Sequence, residues 1–338
     1  MSFRKFPITI LLLAAVAACA QQPKTFNFVA PNANGRVILP PGNDWKPQSI
    51  ILLDDGTRPV IAFMNEASHI EMSVILFRND TSAPTSESCR EAVIDPILNN
   101  LANSAVVKNI AKATRPQAKG PALAVQSYFI ERVGDTPIRQ QNLFGFYGDR
   151  SICAEVHVSK ALYVSADAPQ LESALKLFRF EPGYVPVSND YSTIGTIFFA
   201  AAKNFASAAV YYQRALDTLG SSAANTNTRR FLVDQLSMSY GIAGDLADSR
   251  KVNEDAIAKD PDYPLYYYDL ACADAEEGKA NAARVHLQQA YDRRANVLPG
   301  ETFPDPGADD SLLKLKDNTQ FWDLVTQISA SEKKDSTK

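Results

Sequence analysis

Two hydrophobic periods divide the chain. Up to about residue 180, apolar residues recur mainly at every second position, the spacing of half-buried strands. Strand-like runs cover Arg36 to Leu39, Ser49 to Leu53, Val60 to Met64 and Glu71 to Phe77, with Asp54-Asp55-Gly56 as a turn between the second and third. Ser86 to Leu101 carries Val93, Ile94, Ile97, Leu98 and Leu101 at helical spacing, and Pro96 inside it predicts a kink or a break at Asp95. Three further strands are predicted over Ala124 to Val133, Ile138 to Tyr147 and Ile152 to Ser159, joined by Gly134 to Pro137 and Gly148 to Arg150. In the last of them Ile152, Ala154, Val156 and Val158 alternate with Cys153, Glu155 and His157, which predicts a sheet with one drier face. A helix from Ala168 to Phe178 closes the series. The order describes an α+β antiparallel sandwich over residues 36–181, after a polar tether at 21–35. Glu181-Pro182-Gly183-Tyr184-Val185-Pro186 stops the pattern, and residues 182–189 read as a stiff linker.

From Asp190 onward the period becomes 3.6. Gly278 repeats Gly244 and Ala290 repeats Ala256, each 34 residues later. A period in this range signals stacked helical hairpins, which bury their apolar faces only against one another. Residues 190–326 are read as three helix pairs plus a capping helix, forming an all-α helical solenoid, and 327–338 as a disordered tail.

The residues of this period, Leu236, Tyr240, Gly244, Ala256 and Pro261, then Leu270, Ala271, Gly278, Ala283, Leu287 and Ala290, resemble the tetratricopeptide repeat family. Ser249, Asn253 and Asp274 depart from its small and aromatic positions, and Gly220 to Thr228 is an insertion. The resemblance implies a concave protein-binding groove formed by Phe231, Asp234 and Met238 from the middle pair and Leu265, Tyr268 and Glu276 from the third. Thr193 and Ile197 stand where the family's chaperone-binding members need Lys and Asn, which argues against binding of acidic chaperone tails. Leu315-Lys316-Asp317, Phe321 and Leu324 resemble the tail that follows such arrays. Over residues 36–181, Leu39 to Trp45 and Leu177-Phe178-Arg179-Phe180 resemble the PsbP-like α/β sandwich group, which implies an accessory or binding domain without catalysis.

The first residues add a compartment. Arg4 and Lys5, the apolar run Ile8 to Val16 and the small residues Ala17 to Ala20 read as an export signal over 1–20. Two cleavage readings stay open. Ala18-Cys19-Ala20 fits an ordinary small-x-small site, and Val16-Ala17-Ala18-Cys19 resembles a bacterial lipobox that would make Cys19 the lipidated first residue. With Ala20 following, the second reading resembles outer-membrane sorting, so the expected place is the bacterial cell envelope, as an outer-membrane lipoprotein facing the periplasm or a soluble periplasmic or secreted protein. An oxidising compartment permits a bridge between Cys89 and Cys153, the alternative being two buried thiols; Cys272 reads as a packed helix residue.

Net charge is −4, and no long run of Lys or Arg appears, which argues against a nucleic-acid role resting on a basic surface. His69, His157 and His286 have no acid or nucleophile partner at motif spacing, and no metalloprotease, nucleophile-elbow or phosphate-loop motif occurs. The carboxylate pairs Glu276-Glu277 and Asp309-Asp310 read as solvated helix ends, Asn79-Asp80-Thr81 as an unused glycosylation sequence, and Tyr266-Tyr267-Tyr268 as the best interaction candidate. No catalytic, cofactor or metal site is expected. The expectation is an exported, lipid-anchored protein-binding scaffold, with a protein or peptide in its groove and the membrane at its anchor. The alternatives are a hydrolase-like enzyme with an unrecognised site in the first domain and a structural part of an envelope assembly.

Overall fold

The computed structural model describes residues 26–39, 44–53, 58–79, 84–101, 106–132 and 138–335. The export signal with Cys19, the Asp54-Asp55-Gly56 turn, the link Gly134 to Pro137, and Asp80 and Thr81 of the glycosylation sequence lie outside the described residues. The chain divides into two compact units, residues 22–191 and 192–338.

Among the described residues the first unit contains ten strands. A three-stranded sheet has the order β1 (Phe26–Val29), β2 (Gly35–Leu39), β10 (Arg179–Pro182). A seven-stranded antiparallel sheet has the order β3 (Trp45–Leu53), β4 (Arg58–Asn65), β5 (Ile70–Arg78), β9 (Ile152–Lys160), β8 (Ile138–Asp149), β7 (Leu123–Arg132), β6 (Val106–Arg115). Its edges are blunted. Pro47 and a bulge interrupt β3, while β6 carries Lys108, Lys112 and a bulge between Lys108 and Ala111. The helix α1 (Ser86–Leu101) lies on one face, where Cys89 and Ile94 join Phe77, Tyr128, Phe144, Phe146 and Cys153 in a core. On the other face α2 (Ala168–Leu175) buries Leu171, Ala174 and Leu175.

Several expectations need correction here. The tether of 21–35 is in part a strand: Phe26–Val29 pairs antiparallel with β2, and Phe28 and Val29 are fully buried, because Phe-Asn-Phe-Val alternates apolar and polar as a sheet requires. The helix expected to reach Phe178 ends at Leu175, and Arg179 to Pro182, between that helix and the expected linker and including the linker's first residue, form β10, with Pro182 at its last position opposite Gly35. The helix α1 runs unbroken through Pro96, whose exposed position lets water take the carbonyl that the missing N–H leaves free. The centre of β9 is dry on both faces, not one. Cys153 and Glu155 are as buried as Ala154 and Val156, since α1 covers the side that alternation assigned to solvent. The strand β6 has no drier face, so periodicity gave no sign of it.

The second unit is helical. The chain enters it through α3 (Ser188–Thr196), which begins inside the expected linker and continues into a short wider turn at Ile197–Ala201. There follow α4 (Phe205–Thr218), α5 (Thr226–Ala243), α6 (Leu246–Ile257), α7 (Pro264–Glu276) and α8 (Ala280–Asp292). Asn204 and Asp245 cap α4 and α6 with their side chains, and Pro264 opens α7 at a position where no N–H is needed. Gly244, at φ 93°, ends α5 in the left-handed conformation that glycine adopts without strain, so the repeated glycine has a backbone reason. The last helix, α9 (Thr319–Asp335), extends well into the stretch expected as a disordered tail. Phe321, Val325 and Ile328 are fully buried at helical spacing and hold it against the preceding helices.

Candidate functional site

The six residues assigned to a groove do not line an open surface. Asp234, Met238, Leu265 and Tyr268 are at most 3% exposed, and the Glu276 side chain is 3% exposed. Phe231, half-buried on α5, retains access to solvent. A later stretch of the chain packs on the third pair. After α8 the chain turns back as an irregular segment, residues 297–311, and lays its side chains along α7. The Tyr263 hydroxyl donates to the Glu301 carboxylate at 3.0 and 2.9 Å. The Phe303 ring stands edge-on to Tyr268, with centroids 5.7 Å apart, and is also tilted against Tyr291. The Tyr268 hydroxyl donates to Asp309 Oδ2 at 3.3 Å, and the Cys272 Sγ lies 3.8 Å from the same oxygen. Lys314 pairs with Glu276.

The run Tyr266-Tyr267-Tyr268 is therefore core: the three side chains are 1%, 6% and 0% exposed. In each carboxylate pair the side chain of the first member is buried; Glu277 is exposed at the C-cap of its helix, as expected. Glu276 is buried against Lys314, and Asp309, itself 3% exposed, accepts from the Ser311 and Leu312 amides through Oδ1 while serving Tyr268 through Oδ2. Sequence reading missed Glu301, Phe303 and Lys314 altogether, because nothing in a repeat pattern announces which distant segment will cover it.

The departures from the repeat pattern form two polar networks. Asn253 Nδ2 donates to Ser237 Oγ at 2.6 Å and to the Ser249 carbonyl at 3.1 Å, joining α5 to α6. Asp274, 1% exposed, receives Arg250 at 2.7 Å from α6 and His286 Nδ1 at 2.6 Å from α8. Burial alone pushes the Asp274 carboxyl up, but the hydrogen bonds from His286 and Arg250 outweigh it and hold it below the usual carboxylate range. His286 is thus hydrogen-bonded into an internal network with Asp274 and Arg250.

In the sheet unit, Cys89 on α1 and Cys153 on β9 are bridged, with Cα atoms 5.8 Å apart. The close approach of α1 depends on Gly148, where a Cβ would lie 2.5 Å from the Thr85 carbonyl oxygen and 2.6 Å from Cys89 Sγ. Two and four positions along β9 from Cys153, facing the same side, are Glu155 and His157. Burial pushes the Glu155 carboxyl up to about 7, with Arg58 opposing it, and pushes the His157 imidazole down to about 4. The His157 ring stacks on Phe144, with centroids 4.1 Å apart, and its Nε2 meets Asn142 Oδ1 at 3.0 Å. Near neutral pH the His157 imidazole is thereby neutral and the Glu155 carboxyl is close to its midpoint; the two share a face without forming an acid–base dyad. Among the described residues no group of three or more His, Cys, Asp or Glu side chains is placed to hold a metal ion.

No family model matches the chain, and no curated protein does. Among solved structures, the chain is similar to the Sgt2 TPR domain from Aspergillus fumigatus, at 15% identity and a TM-score of 0.30, over 45% of this chain and 81% of that one. It is also similar to cyanobacterial PsbP (CyanoP) from Synechocystis sp. PCC 6803, at 12% identity and a TM-score of 0.32, over 47% of this chain and 93% of that one. Both scores are too low to carry function from those proteins to this chain. Its own arrangement is a β-sheet unit followed by a helical one.

Proposed function

We propose that the chain is an exported, lipid-anchored, non-catalytic protein whose helical hairpins hold a protein or peptide segment in a solenoid groove. The observation that carries this reading is the placement of α5 and α7. They are the first helices of successive hairpins, they pack on one another as well as on α6 between them, and so they present one face in register. Phe231 is the groove residue accessible on that face, and a half-exposed aromatic side chain is the kind that anchors interfaces.

The buried Cys89–Cys153 bridge supports the export part, since such bridges persist in oxidising compartments. Among the described residues no helix is long and apolar enough to cross a membrane, so attachment in this reading falls to Cys19. Cells fed an alkyne-tagged fatty acid should label the wild-type chain and leave Cys19→Ser unlabelled. Affinity capture of the wild-type chain from solubilised membranes should recover a partner that Phe231→Ala recovers at least 5-fold less. Equal recovery by the two proteins would refute the groove assignment, and label on neither protein would refute the anchor.

A further inference from the structure

The face that α7 would offer a partner is already taken, and by a segment that looks little like core. Residues 297–308 contain no helix or strand beyond one short turn at Pro306–Ala308, and apart from Pro306 their side chains are half-buried or exposed. Their backbone hydrogen bonds are local, Glu301 N to Leu298 O and Ala308 N to Asp305 O. What fixes them to α7 and α8 is side-chain chemistry: Glu301 on the Tyr263 hydroxyl and Phe303 between Tyr268 and Tyr291, with Asp309 on Tyr268 at the near end. The fit is incomplete beneath and beside it. Glu276 Oε1 and Ser311 Oγ are buried with no hydrogen-bond partner, a state that costs free energy in a permanent core. From Leu312 onward the character changes: Leu312, Leu315 and Phe321 are buried in the main apolar cluster. Gly300, at φ 86° and with open space around its Cα, offers a pivot at the other end.

We propose that residues 298–309 are a cis-bound strap, a resident pseudo-ligand on α7, and that the same face takes an extended segment of a partner that carries the strap's chemistry. This rests on the binding reading above and names its partner class: an acidic peptide with one aromatic residue. The ring would enter edge-on between Tyr268 and Tyr291, and flanking carboxylates would accept from the Tyr263 and Tyr268 hydroxyls. The strap lifts between Gly300 and Asp309, while the chain from Leu312 onward stays in place as the cap. Segments with few buried apolar contacts and side-chain anchors alone belong to the low-stability end of a fold, which suits a displaceable lid.

Cys272 reports the opening. It lies outside the Cys89–Cys153 bridge, is fully buried, and sits against Asp309 at the end of the strap. The test is alkylation of Cys272 in the full chain by a maleimide, located by mass spectrometry, with and without a synthetic peptide of residues 297–311 in trans. In the wild type, labelling should occur by a local opening whose rate is nearly independent of low urea concentrations. Phe303→Ala should raise the rate at least 10-fold, and the peptide should bring it back towards the wild-type rate, whereas a peptide with Phe303→Ala should not. Labelling that follows global unfolding in the wild type, with a steep dependence on urea, would overturn the proposal even if Phe303→Ala does not fold. So would accelerated labelling that the peptide fails to slow. If the strap fails this test while Phe231→Ala still loses a captured partner, the binding reading stands and only the cis-ligand is lost.

Discussion

Removing the Cys89–Cys153 bridge should destabilise the sheet unit by about 4 kcal/mol. The two cysteines are 64 residues apart, and in the chain-entropy model a loop of that size adds about 4 kcal/mol by restricting the unfolded chain. Both side chains are fully buried, and the bridge ties the first turn of α1 to the middle strand of the sheet. The sequence supplies a convenient reporter. It contains two tryptophans, Trp45 on β3 and Trp322 on α9, so a Trp322→Phe chain fluoresces from the sheet unit alone. Urea titration of that chain, oxidised and then with reductant, should show the Trp45 transition moving by about 2 M for a slope near 2 kcal/mol per molar urea. The double variant Cys89→Ala, Cys153→Ala should match the reduced protein and lose its sensitivity to reductant. A midpoint shift below about 0.5 M would refute the reasoning, since it would mean that α1 is held to the sheet by packing alone.

Asp274→Ala should cost about 2–4 kcal/mol in the Trp322 transition, because it leaves Arg250 and His286 without their shared buried acceptor. Asp274 has a folded pKa below its unfolded value, so its contribution is complete above the unfolded value and lost only as pH falls through the folded one; the wild-type and variant curves should converge in acid below about pH 4. Glu155 and His157 make opposed contributions. The raised Glu155 loses stability as pH rises from the ordinary carboxylate value to about 7, and the lowered His157 loses it as pH falls from the ordinary imidazole value to about 4. Between about pH 4.5 and 6.5 the folded and unfolded pair bind the same number of protons, so this pair gives a flat profile; Glu155→Gln should unmask a slope of about 1.4 kcal/mol per pH unit, seen as stability falling with acid. Gly148→Ala should cost at least about 3 kcal/mol, since its Cβ meets backbone and the bridge sulfur, and proteolysis within α1 should accelerate accordingly.

Much of the fold was legible because it rests on local period and turn chemistry. The alternation of β9, the apolar stripe of α1 and the glycines at 244 and 278 are local signals, and each is explained by a structural role. What escaped reading was set by distant segments. Alternation placed Glu155 and His157 on a wetter face, and only the docking of α1 makes that face dry. The six groove residues were assigned by resemblance, but burial of the third pair is decided by residues 297–316, whose sequence has no period to read. The strand β1 was obscured by its polar surroundings, and β6 by having no dry face. Asp274, Ser249 and Asn253 were visible as departures from the repeat, and that was a usable signal: a polar residue at a core position needs partners, which here are Arg250, His286 and Ser237.

The proposed function has the aligned first helices of the hairpins engage a partner outside the cytoplasm. Its most direct test is a photo-cross-linking amino acid placed at Phe231 of α5 in living cells, with one at Val285 of α8, which is 48% exposed, as the comparison. A discrete adduct is expected from position 231, one that position 285 does not give and that only the exported chain forms. Absence of an adduct at 231, or the same adducts from both positions, would contradict it.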